Sequence, residues 1–250
     1  MKAITTITLI GTGHVFNLAE ALEDALDRIS PETICVELDA QRYQALITRK
    51  TNPQAVEKAR KNAPYIYRLL GDFQDNMAQE YGVKAGDEML SAVTYGQSNQ
   101  IPVHFIDKNA QHLFSNMLKQ MSLKEKISLF FSGFAGLFVS KKKVEAELSN
   151  IDTNFDSYLE QISEKYPTIK RVLIDERNEH MVNHIMRLSE NLDRLVAVLG
   201  DGHLPGMQKI LEEKTDHTID TIRLKELRAY TPAPKDVSTA SFSINYQDYQ

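Results

Sequence analysis

Hydrophobic positions along the chain follow two rhythms. Short runs rich in β-branched and apolar residues occur at 5–11 (TTITLIG), 33–38 (TICVEL), 102–107 (PVHFID), 194–200 (RLVAVLG) and 217–224 (HTIDTIRL). The first four are nearly continuous in apolar character, the pattern of strands covered on both faces. The fifth alternates more clearly, as a partly exposed strand does. Between these runs, apolar residues recur at helical spacing. In 17–30, Leu18, Leu22, Ala25, Leu26 and Ile29 share one face, with Asn17 as the predicted cap and Glu20 as its capping-box partner. Segments 86–99, 168–191 and 204–213 read as further helices.

Alternation of strand, helix and strand predicts an α/β fold with mostly parallel pairing. The stretches 41–99 and 111–191 depart from it and are nearly all helical. We therefore expect one α/β domain over 1–228. It has a small, mostly parallel central sheet and large helical insertions at about 41–99 and 111–191. Residues 229–250 contain Pro and Ser and read as a polar C-terminal tail or arm.

Composition narrows the function classes. The chain has 250 residues, is 42% hydrophobic, and carries a net charge of -5 with no long basic block. That speaks against a nucleic-acid partner, which calls for a clustered basic face. A single cysteine, Cys35, lies inside an apolar run, so neither an intrachain disulfide nor a cysteine zinc cluster can form. With no secretory signal pattern, a cytoplasmic setting is expected. The most apolar stretch, 127–139, has 13 residues against the roughly 20 that a spanning helix needs. It reads as a buried or dimer-interface segment, and a homodimer is expected. A membrane-surface contact, helped by the lysines at 141–143, is the alternative.

Candidate chemistry gathers at the strand ends, where open α/β sheets bind ligands. The first run ends in Gly11-Thr12-Gly13-His14 and the fourth in Gly200-Asp201-Gly202-His203. The second ends in Glu37, with Asp39 and Arg42 beyond it, and the third ends in Asp107. Glycines permit tight turns and close approach, while imidazole and carboxylate suit Mn, Co, Zn or Fe. Such a set could hold a metal-bound water as nucleophile, or act without metal as general base and acid. Strand ends are polar in any fold, so the repeated glycine–histidine frame carries the argument. Glu176 and Arg177 open a long helix and could point back to this rim. Glu88 stands early in another helix, where the helix dipole alone would favour it. His180 and His184 are four apart, but Met181 occupies the position where a zincin motif needs Glu. A half-exposed helix face is the expected reading there.

Five segments in order carry a resemblance: LIGTGHV, PETICVELDAQRYQAL, GDEMLSAV before VHFIDK, LIDERNEHMV and VAVLGDGHLPGM. Together they resemble the TraB/PrgY (pheromone-shutdown) family, related to Tiki metalloproteases and more distantly to the erythromycin-esterase and ChaN-like fold. The resemblance covers about residues 5 to 212. It implies an α/β fold with a shared pocket and two G-x-x-H motifs. Carried over residue by residue, the matching positions are Gly11, His14, Glu37, Arg42, Glu88, Asp107, Glu176, Arg177, Gly200 and His203. Tiki relatives imply a metal-dependent protease favouring Mn or Co, and the TraB branch implies action on peptide pheromones. Lys108 stands where many members have arginine. Many members continue into C-terminal membrane helices, whereas this chain ends in a polar tail, so a version without transmembrane segments is expected.

The leading expectation is a metal-dependent hydrolase, a peptidase acting on a peptide or small-molecule substrate. His14, Glu37 and His203 would hold Mn, Co or Zn. Glu88 or Glu176 would be the general base or acid. Arg42 and Arg177 would bind a substrate carboxylate or stabilise the oxyanion. Two alternatives remain open: a metal-free histidine-based hydrolase, and a protein that binds a peptide or ligand without cleaving it.

Overall fold

The computed structural model describes residues 4–13, 18–52, 86–128 and 163–230. Each of the five apolar runs forms a strand: β1 Thr6–Thr12, β2 Thr33–Val36, β3 Val103–Phe105, β4 Arg194–Gly200 and β5 Thr218–Ile222. They make one sheet in the order β3-β2-β4-β1-β5, with every neighbouring pair parallel. Helices among the described residues include α1 Ala19–Ile29, α2 Ala40–Thr51, α3 Asp87–Ser98, α4 Ala110–Gln120, α5 Pro167–Lys170, α6 Glu176–Leu188, α7 Leu204–Lys214 and α8 Leu224–Arg228. The architecture is α/β, as the periodicity predicts.

Side chains alternate across each strand, so the sheet carries two cores. On one face Ile10, Ile34, Val36, Val196 and Val198 pack against Leu22 and Leu26 of α1 and Met89 and Val93 of α3. On the other, Leu9, Cys35, Leu195, Ala197 and Leu199 pack against Met181 and Ile185 of α6 and Met207 and Leu211 of α7. Each fully buried Leu or Ile contributes roughly 1.5–3 kcal/mol. Burial pushes the Cys35 thiol up to about 12, so it is a packing residue without thiolate character.

Two local expectations change. α1 begins at Ala19 with Leu18 in the cap position and no side-chain cap. The predicted cap, Asn17, lies outside the described residues, as does His14. The long segment 168–191 is not one regular helix. A π-helical turn, Arg171–Asp175, separates α5 from α6. Such turns widen the helix and are common at functional sites. Most of the apolar stretch 127–139, the lysines at 141–143 and the tail from 231 also lie outside the described residues.

Topology marks the rim on either side of β4. β1 and β4 are neighbours, with Thr12 beside Gly200. From β1 the chain leaves into α1 on one face of the sheet, and from β4 into α7 on the other. Connections departing to opposite faces open a crevice between the strand ends, the position where open α/β sheets bind ligands. Both glycine–histidine segments start there. Among the described residues, no helix is long and apolar enough to cross a membrane.

Candidate functional site

Arg177 organises the carboxyl edge of the sheet. It stands in the first turn of α6, directly after the π-helical turn. All five of its guanidinium N–H groups have partners. Nε donates to Asp107 Oδ1 at 2.9 Å and Nη2 to Asp107 Oδ2 at 2.8 Å, a bidentate fork. Nη2 also donates to Glu37 Oε1. Nη1 donates to the Leu173 carbonyl at 3.2 Å and meets His203 Nε2 at 3.0 Å. One side chain from a helix thus joins the ends of β2, β3 and β4.

The other contacts complete this network. The Gly200 N–H donates to Glu37 Oε2 at 2.6 Å. Arg42, on α2, donates to Asp107 Oδ2 at 3.3 Å, and the Lys108 N–H donates to Asp107 Oδ1 at 2.8 Å. Asp39 caps α2 by accepting from the Gln41 and Arg42 N–H groups, which fixes where Arg42 begins its reach. His203 Nδ1 lies 2.6 Å from Asn178 Oδ1. The centre is nearly closed to solvent: side-chain exposure is 12% for Arg177, 7% for Glu37, 2% for Asp107 and 6% for His203.

Electrostatics follow from that burial. Desolvation pushes the Glu37 carboxyl up, but in the acid range where it titrates a protonated His203 ring, the charge of Arg177 and the Gly200 N–H together hold it well below the usual carboxylate range. Burial likewise disfavours the Arg177 cation. The charge of Glu37 and the bonds to Asp107 more than offset this, and the guanidinium is held more firmly protonated than usual.

The remaining predicted residues separate. Glu176 turns away from His203, with Oε1 on Arg171 Nη1 at 2.7 Å and Oε2 near Lys108 Nζ at 3.4 Å. Glu88 is buried in the first turn of α3, on the sheet face opposite α6. Neither is a partner of Arg177 or His203 among the described contacts. Gly11 serves packing: a Cβ there would lie 2.2 Å from Asp201 Oδ1. Asp201 in turn accepts from Arg223 Nε at 3.0 Å, Arg223 Nη2 at 2.6 Å and the Leu224 N–H at 2.8 Å. Gly200 approaches the centre directly, since a Cβ there would lie 3.3 Å from Glu37 Oε2.

Asn178 is the functional-site residue that sequence reasoning missed. An asparagine inside a helix carries no signal of its own. The one trace is Gly206 in α7, where a Cβ would lie 2.4 Å from Asn178 Nδ2. Beyond Asp107 opens a cavity of about 400 Å³ lined by Lys108, His112, Val172, Glu176 and His180 among others. His180 and His184 present adjacent rings, centroids 4.6 Å apart, on the outer face of α6. Burial lowers both, helped for His180 by His184 and Lys108 and for His184 by Arg187. They form a half-exposed face, as expected.

A divalent metal can be tested against these donors. Glu37 Oε1 and His203 Nε2 are 3.5 Å apart. Two ligands about 2.1 Å from one tetrahedral ion stand roughly 3.4 Å apart, so the spacing is suitable. Occupancy is not, because the Arg177 guanidinium donates to both atoms and would repel a cation. Among the described residues, no group of three or more His, Cys, Asp or Glu side chains is placed to hold a metal. In this arrangement the described residues do not fit a bound metal.

The profile of the TraB/PrgY/gumN family matches residues 2–220. An uncharacterized protein of Methanocaldococcus jannaschii is 30% identical over 244 residues, covering 95% of this chain and 62% of the relative. The chain therefore spans less than two thirds of that relative's length.

Proposed function

The chain belongs to the TraB/PrgY/gumN family, and from that premise we propose that it is a hydrolase of peptide or ester bonds whose reaction centre is the Arg177 cluster. The observation that carries the reading is the saturated guanidinium. It draws Glu37, Asp107 and the His203 ring together over the ends of β2, β3 and β4.

In this reading a water displaces the Arg177 Nη1–H from His203 Nε2. The lone pair takes a proton from that water as its oxygen attacks the substrate carbonyl carbon. The released Nη1–H donates to the carbonyl oxygen as it becomes negative. The bond to the leaving nitrogen or oxygen then breaks, and His203 returns the proton to that atom. Glu37 and Asp107 hold Arg177 in place, and Arg42 balances Asp107. The cavity beside Asp107 receives the remainder of the substrate.

A metal-dependent peptidase is the second reading, favoured by the spacing of Glu37 Oε1 and His203 Nε2. It requires Arg177 to withdraw, with His14 as the further ligand. Screening ester and peptide libraries before and after exhaustive chelation separates the two. Under the first reading turnover survives chelation and is lost in His203→Ala. Under the second it is lost on chelation and returns with Mn, Co or Zn. Intact recovery of every ligand that binds would favour a non-catalytic binding protein instead.

A further inference from the structure

We propose that Asn178 is the positioning residue that fixes the tautomer of His203, so that Nε2 stays the lone-pair nitrogen facing the Arg177 cluster. Its activity arm rests on the proposed role of His203, but its structural arm does not.

Arg177 Nη1 can only donate, so the His203 Nε2 it meets at 3.0 Å must accept. The ring proton then belongs on Nδ1, 2.6 Å from Asn178 Oδ1. A flipped amide would set its N–H against an N–H of the ring and is excluded by the same logic. Gly206 supports this orientation, since its missing side chain leaves room for Asn178 Nδ2 on the α7 side. Asn178 and His203 are both buried, so water is poorly placed to replace the amide oxygen.

The Nδ1–H form is the less populated tautomer of a free histidine ring. Holding it in a buried site therefore calls for an acceptor aimed at Nδ1. Asn178 and His203 are both presented by helices packed on the same face of the sheet, α6 and the entry to α7. An amide also differs from a carboxylate at this position. It accepts the Nδ1–H without adding a negative charge that would favour a doubly protonated ring.

Imidazole 15N shifts of His203 in histidine-labelled protein read the tautomer with no substrate present. Wild type is expected to show the Nδ1–H form. Asn178→Leu should shift the ring toward Nε2–H. Gly206→Ala, which crowds the amide without removing it, should do the same and serves where the first variant does not fold. Asn178→Asp keeps an acceptor in place and should retain the proton on Nδ1. On any substrate turned over, Asn178→Leu should lower kcat about 10- to 100-fold with KM little changed, part of the roughly 10²–10⁴ that a general base contributes. Persistence of the Nδ1–H form in both Asn178→Leu and Gly206→Ala would assign the tautomer to Arg177 alone and overturn the proposal. A chain without hydrolase activity would leave this spectroscopic test standing.

Discussion

The loop at the end of β4 feeds two acid–arginine networks that face in different directions. The Gly200 N–H and the His203 ring turn toward Glu37 and Arg177, while Asp201 between them turns toward Arg223. Bond lengths are similar in the two. Surroundings are not: Arg177 has 12% of its side chain exposed and Arg223 has 40%. The inner guanidinium has every N–H committed to protein groups, and two of its partners are nearly dry carboxylates. The outer pair ties α8 to the loop at the protein surface. The difference teaches that burial, more than pairing geometry, makes one arginine an organiser and the other a clasp.

Variants should break that contrast in a fixed order. Arg177→Leu should be the most damaging, because it strands Glu37 and Asp107 as buried carboxylates. A loss of about 3–5 kcal/mol by urea unfolding is expected. Arg177→Lys should recover little of it, since an ammonium cannot make the bidentate fork. Gly11→Ala comes next, at roughly 1–3 kcal/mol, because its Cβ would collide with the Asp201 carboxylate. Arg223→Ala should cost less than about 1 kcal/mol, as expected for a half-exposed pair. A larger loss at Arg223 than at Arg177 would reverse the contrast.

Acid acts on the inner network through Glu37. Glu37 is held below its unfolded range, where a glutamate titrates near about 4.3. Its contribution is therefore complete above about pH 4.3 and is lost as pH falls through the lower folded value. Thermal melts of wild type and Glu37→Gln should differ most near neutral pH and converge in strong acid. Glu125 provides a comparison outside the site. Burial pushes its carboxyl up, but the Thr168 and Ser122 N–H groups and hydroxyls outweigh this and lower it to about 2. Its contribution should fade between about pH 4.5 and 2, so Glu125→Gln should flatten the pH dependence of stability across that range while leaving the Arg177 network intact.

Strands were legible because continuous β-branched and apolar runs have few other uses, and all five formed where that pattern lies. The rim acids Glu37 and Asp107 were legible for the same reason, as the first polar residues after buried runs. Helix-borne residues were harder. Glu176 and Arg177 are adjacent in the chain but point about 100° apart around α6, and sequence does not tell which turns inward. The π-helical turn that precedes them has no residue signature. Gly11 and Gly200 share one letter pattern, yet one makes room for Asp201 and the other donates to Glu37. Asn178 becomes visible only when α6 and α7 are packed side by side.

Divalent-metal binding by wild type, Arg177→Leu and His203→Ala tests most directly whether Arg177 or an ion organises this centre. With Mn, Co or Zn titrated into each protein, the wild type should show no stoichiometric binding that depends on His203. Any such binding should be gained only in Arg177→Leu, where both acceptors lose their cation. Stoichiometric binding by wild type that disappears in His203→Ala would contradict it and place a metal where Arg177 now stands.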